Sequence, residues 1–300
     1  VVANYVECIG ANRHNGRVNG ITVRDRLNGE QFDIRARVVL NAAGPWAPSL
    51  LTKLIPDARP TLPHGLSKAM NLILEKPMAH QHAVGGQRNS RLLFLAPWRG
   101  FTLAGTSHTH FKSIPDTLSV TQPELEEFLR DINNTFPGLS AELKDIRLVH
   151  RGLLPSQEDN ATGVRLLKQS AVRDHRQDGL PGLISILGVR YTTARYTAQQ
   201  AIDTVFSVLH VAATPCQTHN TPVIGGALND VREFFKSATN NTSSVPDHNT
   251  RERLARTYGS THTRLLETIQ NTPEDGEPLS SDCAITRAEV THAVREEMAV

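Results

Sequence analysis

Two stretches of this sequence offer backbone, rather than side chains, where a ligand could be met. The first is Val38-Val39-Leu40-Asn41-Ala42-Ala43-Gly44-Pro45-Trp46-Ala47, which reads as a buried strand delivering a turn of small residues. Ala42, Ala43 and Gly44 carry almost no side chain, so the main chain there can lie within hydrogen-bonding distance of something flat or anionic. Pro45 stops further sheet pairing and Trp46 supplies a large apolar anchor. On this string alone, an ordinary strand ending in a Gly-Pro turn weighs equally. The second stretch is Gly188-Val189-Arg190-Tyr191-Thr192-Thr193, after the apolar strand Leu183-Ile184-Ser185-Ile186-Leu187. A strand end leading into a helix N-terminus presents free N–H groups and a partial positive charge. A plain N-cap by Thr192 or Thr193 is the simpler account of the same residues.

The histidines carry less. Among 13, only His80/His82 and His108/His110 are close pairs. On strands, i and i+2 share a face, so each pair could supply two ligands to a metal. No third ligand is apparent, and no metal site is expected. Cys8, Cys216 and Cys283 are odd in number and far apart, which fits reduced thiols better than a disulfide framework. With 32 basic and 30 acidic residues the net charge is +2, which carries no nucleic-acid or membrane signature. No apolar run reaches the length of a membrane span.

The elements that must position these residues follow from periodicity. Residues 2–9, 18–26 and 31–41 read as a β-meander with Asn28-Gly29 as a hairpin turn, and 45–55 as a short helix closed by Pro56. From about Pro60 the texture changes to short strands at 71–74, 91–97 and 101–106, the last two joined by Trp98-Arg99-Gly100. A helix is predicted over 123–136, capped by Thr121 and with Leu125, Phe128, Leu129 and Ile132 as its apolar face, then a strand over 146–154. Strand 183–187 and a helix to about 208 make an α/β crossing. Beyond a loop at 240–247, helices near 227–238, 250–256, 260–270 and 286–298 form a mostly helical appendage.

The run 38–47, in the form VVLNAAGPWA, resembles a segment of the flavoprotein family that includes FAD-dependent glycerol-3-phosphate dehydrogenase. So do VRDRLNGEQFDIRARVV, RLLFLAPWRGFTLAGTSHTHF, GVRYTTARYTAQQAID and the YGS…AEVTHAVREEMA stretch, in the family's order and spacing across nearly the whole chain. The family opens with a G-x-G-x-x-G turn that holds the FAD pyrophosphate. No such pattern occurs here, and the chain begins at Val1 within what reads as a strand. The expectation is a fragment of a longer flavoprotein.

The resemblance implies roles residue by residue. Ala42, Ala43, Gly44 and Trp46, with Gly188, Val189, Arg190, Tyr191, Thr192 and Thr193, are the expected FAD contacts. In the family the second turn reads Gly-Gly-Lys-x-Thr-Thr, so here Val189 replaces a glycine and Arg190 a lysine, keeping the charge but changing its reach. Arg190 also stands as a catalytic and substrate-binding residue. Lys68 matches a family lysine, and Lys168 falls where a phosphate-binding arginine stands. Asn71 sits where the family carries a histidine, and can orient a hydroxyl but not accept its proton at neutral pH. His108, in place of a family acid, is the titrating candidate. Leu154 replaces a substrate-binding arginine, and Arg151 should face the other side of its strand.

The implied fold is α/β plus antiparallel β. It comprises an incomplete Rossmann-like FAD-binding domain (1–61 and 156–209), a substrate-binding antiparallel sheet (62–155) and a C-terminal helical domain (210–300). The implied activity is hydride transfer to FAD from glycerol 3-phosphate or a related phosphorylated polyol. Quinone or oxygen is the electron acceptor, nucleic acid is not a partner, and the location is cytoplasmic or peripheral to the inner membrane. Two alternatives stand beside it: an oxidase or dehydrogenase of another hydroxy- or amino-acid, and a non-catalytic remnant or interaction module that lacks FAD binding.

Overall fold

The computed structural model of the chain describes residues 2–55, 62, 65–88, 91–157, 164–240 and 246–300. The expected roles of Pro56 and Pro60, and most of the expected loop at 240–247, lie outside them.

Strands β1 (Val6–His14), β2 (Arg17–Asp25) and β3 (Gln31–Arg35) form an antiparallel meander. Its second turn is the expected Asn28-Gly29, where the Asn28 side chain accepts the Glu30 N–H at 2.8 Å. The first strand starts later than periodicity suggested and runs to His14. The predicted strand 31–41 divides, because the chain leaves the meander after Arg35. Ala36 N–H still bonds Asn19 O at 2.9 Å, but Val39 N–H bonds Gly182 O at 2.8 Å, and β4 (Val39–Asn41) joins a different sheet. Alternation continued across the gap, so the sequence pattern could not separate one strand from two. A 3-10 turn, Gly44–Trp46, then leads into α1 (Ala47–Leu54).

Five further strands follow: β5 (Gly65–Leu74), β6 (Val84–Arg88), β7 (Arg91–Trp98), β8 (Phe101–Phe111) and, after helix α2 (Gln122–Thr135), β9 (Ile146–Gln157). With β10 (Arg165–Leu166) they make an antiparallel sheet in the order β10-β9-β5-β8-β7-β6. Trp98 pairs with Phe101 across the expected Arg99-Gly100 turn. Helix α2 is capped as expected, with Thr121 N–H donating to the Glu124 carboxylate at 2.8 Å. Its Phe128, Leu129 and Ile132 pack on Met70, Leu72, Leu74, Leu93, Leu95 and Ala104, which therefore mark one face of the sheet as core. His80 and His82 lie in a bend before β6 and not on a strand, so the shared-face argument for that pair falls away.

Strands β11 (Ala171–Asp174) and β12 (Leu183–Leu187) pair antiparallel, and β12 pairs parallel with β4, Ser185 opposite Asn41. Helix α3 (Ala194–Leu209) follows a 3-10 turn at Tyr191–Thr193. Val18, Ala47, Leu51, Ile55, Leu180, Leu183 and Leu187 share one core, joining β2, α1 and β12.

The chain divides into two compact units, Tyr5–Ala213 and a second comprising Thr214–Val300 with the N-terminal residues up to Asn4. The second unit holds α4 (Val231–Thr239), α5 (His248–Tyr258), α6 (His262–Asn271), a hairpin of β13 (Pro278–Ser280) and β14 (Cys283–Thr286), and α7 (Arg287–Glu296). Helix α4 starts later than expected because Asp230 caps it, its carboxylate accepting the N–H of Arg232 and Glu233. The hairpin was not foreseen. Among the described residues no helix is long and apolar enough to cross a membrane, and no group of three or more His, Cys, Asp or Glu could hold a metal.

Candidate functional site

Parallel pairing of β4 with β12 brings the two small-residue turns together. Both strands run the same way in register, so residues 42–46 and 188–193 leave the sheet side by side at its carboxyl edge. Each turn runs into a helix, α1 or α3. This is the position at which open α/β sheets hold ligands. Neither glycine is filled from its side-chain direction: a Cβ built on Gly44 or Gly188 meets no atom within 4 Å. Gly44 also has φ +56, a conformation few other residues adopt. The large side chains alongside lie open, with Tyr191 96% and Trp46 44% exposed. Trp46 is held by its indole N–H, which donates to Asp116 Oδ1 at 2.8 Å. Backbone room, N–H groups at a helix start and uncovered aromatic surface together fit a flat, anionic cofactor such as FAD.

Not every N–H of the first turn is free for it. Ala43 N–H donates to Asn41 Oδ1 at 3.2 Å, and Ala43 O accepts Trp46 N–H at 3.1 Å. In the second turn Val189 N–H reaches Ser170 Oγ at 3.4 Å. That contact also draws the loop carrying Lys168 against the turn carrying Arg190. Arg190 and Lys168 are both solvent-exposed. The Thr193 hydroxyl donates back to Arg190 O at 3.1 Å and caps no N–H of α3, so the simple N-cap does not account for this threonine.

The antiparallel sheet supplies a second set. On its face away from α2, register places Ser67, Ala69 and Asn71 of β5 beside His108 of β8 and beside His150, Gly152 and Leu154 of β9. Ser67 Oγ and His108 Nδ1 are 3.3 Å apart, and Thr106 Oγ1 donates to Asn71 Oδ1 at 2.8 Å. Gly105, opposite Asn71, has no room for a Cβ, which would collide with the Asn71 carboxamide. Burial, aided by the positive charge of Arg91, holds the His108 pKa below the usual histidine value. Leu154 lies on this face and Arg151 pairs with Met70 on the other, as strand alternation required.

Lys68 does not join them. It falls on the α2 side of β5, where Nζ bonds the Glu124 carboxylate and donates to Ser119 O at 3.2 Å. Burial works against the charged form of Glu124, but hydrogen bonds from Lys68 and Thr121 outweigh it and keep the carboxyl pKa below its ordinary value. Lys68 is 8% exposed and engaged by Glu124 and Ser119 O, so it is not offered to the face that carries Asn71 and His108. Sequence reasoning passed over His150, whose ring packs edge-on to Trp98 at 5.9 Å. The signal was its even spacing from Gly152 and Leu154.

Comparison with known proteins agrees with this geometry. Residues 1–199 match the family described as FAD dependent oxidoreductase, and residues 216–300 match the C-terminal domain of alpha-glycerophosphate oxidase. A glycerol-3-phosphate dehydrogenase of Synechocystis sp. is 25% identical over 308 residues, covering 99% of this chain and 55% of its own. The aerobic glycerol-3-phosphate dehydrogenase of Staphylococcus aureus is 24% identical, covering 95% of this chain and 52% of its own. The crystal structure of the glycerol-3-phosphate dehydrogenase from Bacillus halodurans, complexed with FAD, superposes with a TM-score of 0.79 at 25% identity, over 99% of this chain and 58% of that one. The chain spans about half the length of the curated relatives it matches. With two adjacent strand-to-helix turns on open glycines and a family match over residues 1–199 of 300, the chain belongs to the FAD dependent oxidoreductase family.

Proposed function

We propose that this chain supplies the substrate face and part of the flavin cradle of an FAD-dependent dehydrogenase acting on glycerol 3-phosphate or a related phosphorylated polyol. The observation that carries the reading is the pair of open glycines, Gly44 and Gly188, at the carboxyl ends of neighbouring parallel strands. FAD, when bound, supplies the hydride acceptor for oxidation of a secondary alcohol. The chain's own residues do the rest. N–H groups of the 188–193 turn and the Arg190 guanidinium stabilise negative charge that collects at the cofactor edge. Asn71, fixed by Thr106, orients the substrate hydroxyl. With Nδ1 of His108 paired to Ser67, Nε2 is the nitrogen that takes the hydroxyl proton, and a lowered pKa keeps it unprotonated at neutral pH.

Arg190 and Lys168 hold the anionic end of the substrate. The face carrying Asn71 and His108 has an apolar Leu154 where the family's arginine would stand. That substitution supports a second reading, a less highly charged hydroxy- or amino-acid as substrate. Anaerobic flavin bleaching separates the two in the 300-residue chain and in any longer polypeptide that carries it. We expect FAD to be taken up and its visible absorbance to bleach with glycerol 3-phosphate faster than with glycerol or amino acids. Faster bleaching by a hydroxy- or amino-acid favours the second reading. Failure of the longer polypeptide to take up FAD would leave the non-catalytic alternative. Quinone or oxygen then serves as electron acceptor, and a quinone would require peripheral contact with the inner membrane, checked by reoxidation and vesicle flotation.

A further inference from the structure

Behind the first turn lies a buried chain of four polar side chains. Asp178 Oδ2 is 2.7 Å from His175 Nδ1, His175 Nε2 is 2.8 Å from Ser185 Oγ, and Ser185 Oγ is 3.3 Å from Asn41 Nδ2. Asn41 closes it on the backbone, with Nδ2 donating to Ala47 O at 3.1 Å and Oδ1 accepting Ala43 N–H at 3.2 Å. His175 and Ser185 are 0% exposed and Asn41 5%.

With His175 as the neutral Nδ1–H tautomer, each bond has one direction. Ala47 O accepts, so the atom facing it is the Asn41 amide nitrogen, and Oδ1 must be the partner of Ala43 N–H. The same nitrogen then donates to Ser185 Oγ, whose proton goes to His175 Nε2. Nδ1–H of His175 is left to donate to Asp178, which Arg173 holds from the other side at 2.9 Å. An Asp–His–Ser series at these distances is also the arrangement of a nucleophile with its base and orienter. Here the serine lies in mid-strand on β12 with no exposed surface, so no substrate can reach it. Its neighbours assign it a different task.

We infer that Asp178, His175, Ser185 and Asn41 form a positioning relay that fixes the direction of the 42–44 turn and therefore the backbone surface offered to the cofactor; this rests on the reading that FAD lies across that turn. The relay begins after β11, crosses β12 and ends on β4, at the base of the 42–44 turn. Inside a low-dielectric core, a chain with one permitted direction has no second arrangement of similar energy, because reversing any link leaves a buried donor or acceptor unmet.

The test reads the turn itself. Amide hydrogen exchange at Ala43 is measured on the ligand-free protein, wild type against Ser185→Ala and Asp178→Asn, followed by FAD titration of each. Ser185→Cys, which keeps a weak donor and acceptor, substitutes if Ser185→Ala does not fold. We expect exchange at Ala43 to rise about tenfold or more in both variants and FAD affinity to fall by a similar factor, with exchange in the six-stranded sheet unchanged. The Asp178→Asn result is the critical one, because Asp178 touches neither turn. Unchanged exchange at Ala43, or a rise spread evenly over the whole chain with a lowered Tm, would overturn the relay. Absence of FAD uptake by the wild type would defeat the functional reading alone, since the exchange measurement does not depend on it.

Discussion

Asn71 owes its orientation to two neighbours: Thr106, which donates to its Oδ1, and Gly105, whose missing side chain leaves room for the carboxamide. Gly105→Ala should displace that carboxamide and cost about 1–3 kcal/mol, the usual penalty of overpacking, read by chemical denaturation. His108 gives a pH prediction. Its pKa is held down by burial first and by Arg91 second, so turnover that uses it as base should persist below the ordinary histidine value of 6.5 and fall only at lower pH. Stability follows the same sign: the unfolded chain binds the proton more readily, so the contribution is complete above 6.5 and is lost as pH falls through the folded pKa. His108→Gln should remove the acid limb of the rate profile and lower kcat by about 10²–10⁴. Leu154→Arg, which restores a charge on the same face, should tighten phosphate-bearing substrate by roughly tenfold or more, the worth of one charge-assisted hydrogen bond. Of these residues, Asn71, His108 and Leu154 stood out through the family resemblance, and their common face emerges only from the register of β5 with β8 and β9. Lys68 was not, since only the fold shows that helix α2 covers its face and brings Glu124 to it.

At the scale of elements, a bidentate ion pair with a buried carboxylate joins α5 to α7. Arg253 donates to both Glu289 oxygens at 2.6 and 2.7 Å, and Glu289 also accepts Thr286 N–H at 2.8 Å to cap α7. Burial, the largest influence, opposes the charged carboxylate, yet these hydrogen bonds together hold its pKa below the ordinary 4.5. The stability it contributes is therefore present above pH 4.5 and lost as pH falls through the folded value. Glu289→Gln should cost about 3 kcal/mol, the low end for a broken buried pair, because Arg253 keeps 26% exposure. Thermal unfolding between pH 7 and pH 4 checks it, with the gap between variant and wild type narrowing as the pH falls. The same burial, with the charge of Glu289 beside it, pushes the Tyr258 hydroxyl up to about 12. Helix α2 was legible in the sequence through its cap, Thr121, whereas Asp247, which caps α5, read only as the end of a loop. Strands were less so. Val39–Asn41 continues the alternation of β3, and only the bond from Val39 to Gly182 shows that it belongs to another sheet. The two short strands β13 and β14 are too brief to carry a period.

At the scale of the whole molecule, on the function proposed above, a flavin lies across two turns that the sequence separates by more than a hundred residues. Their small-residue character was visible in the sequence; their adjacency was implied by the family resemblance alone, because parallel pairing of β4 and β12 is a long-range contact with no local signature. Gly44 would be a poor probe of the claim, since φ +56 makes any larger residue strained whether or not a ligand binds. Gly188 is the clean one: it is exposed, and a Cβ there meets nothing in the protein. FAD titration of Gly188→Val against wild type, with Tm measured on both without ligand, is the most direct measurement. Affinity should fall by about a hundredfold or more, roughly 2.7 kcal/mol, while Tm stays unchanged. Wild-type affinity for FAD in the Gly188→Val variant would contradict it.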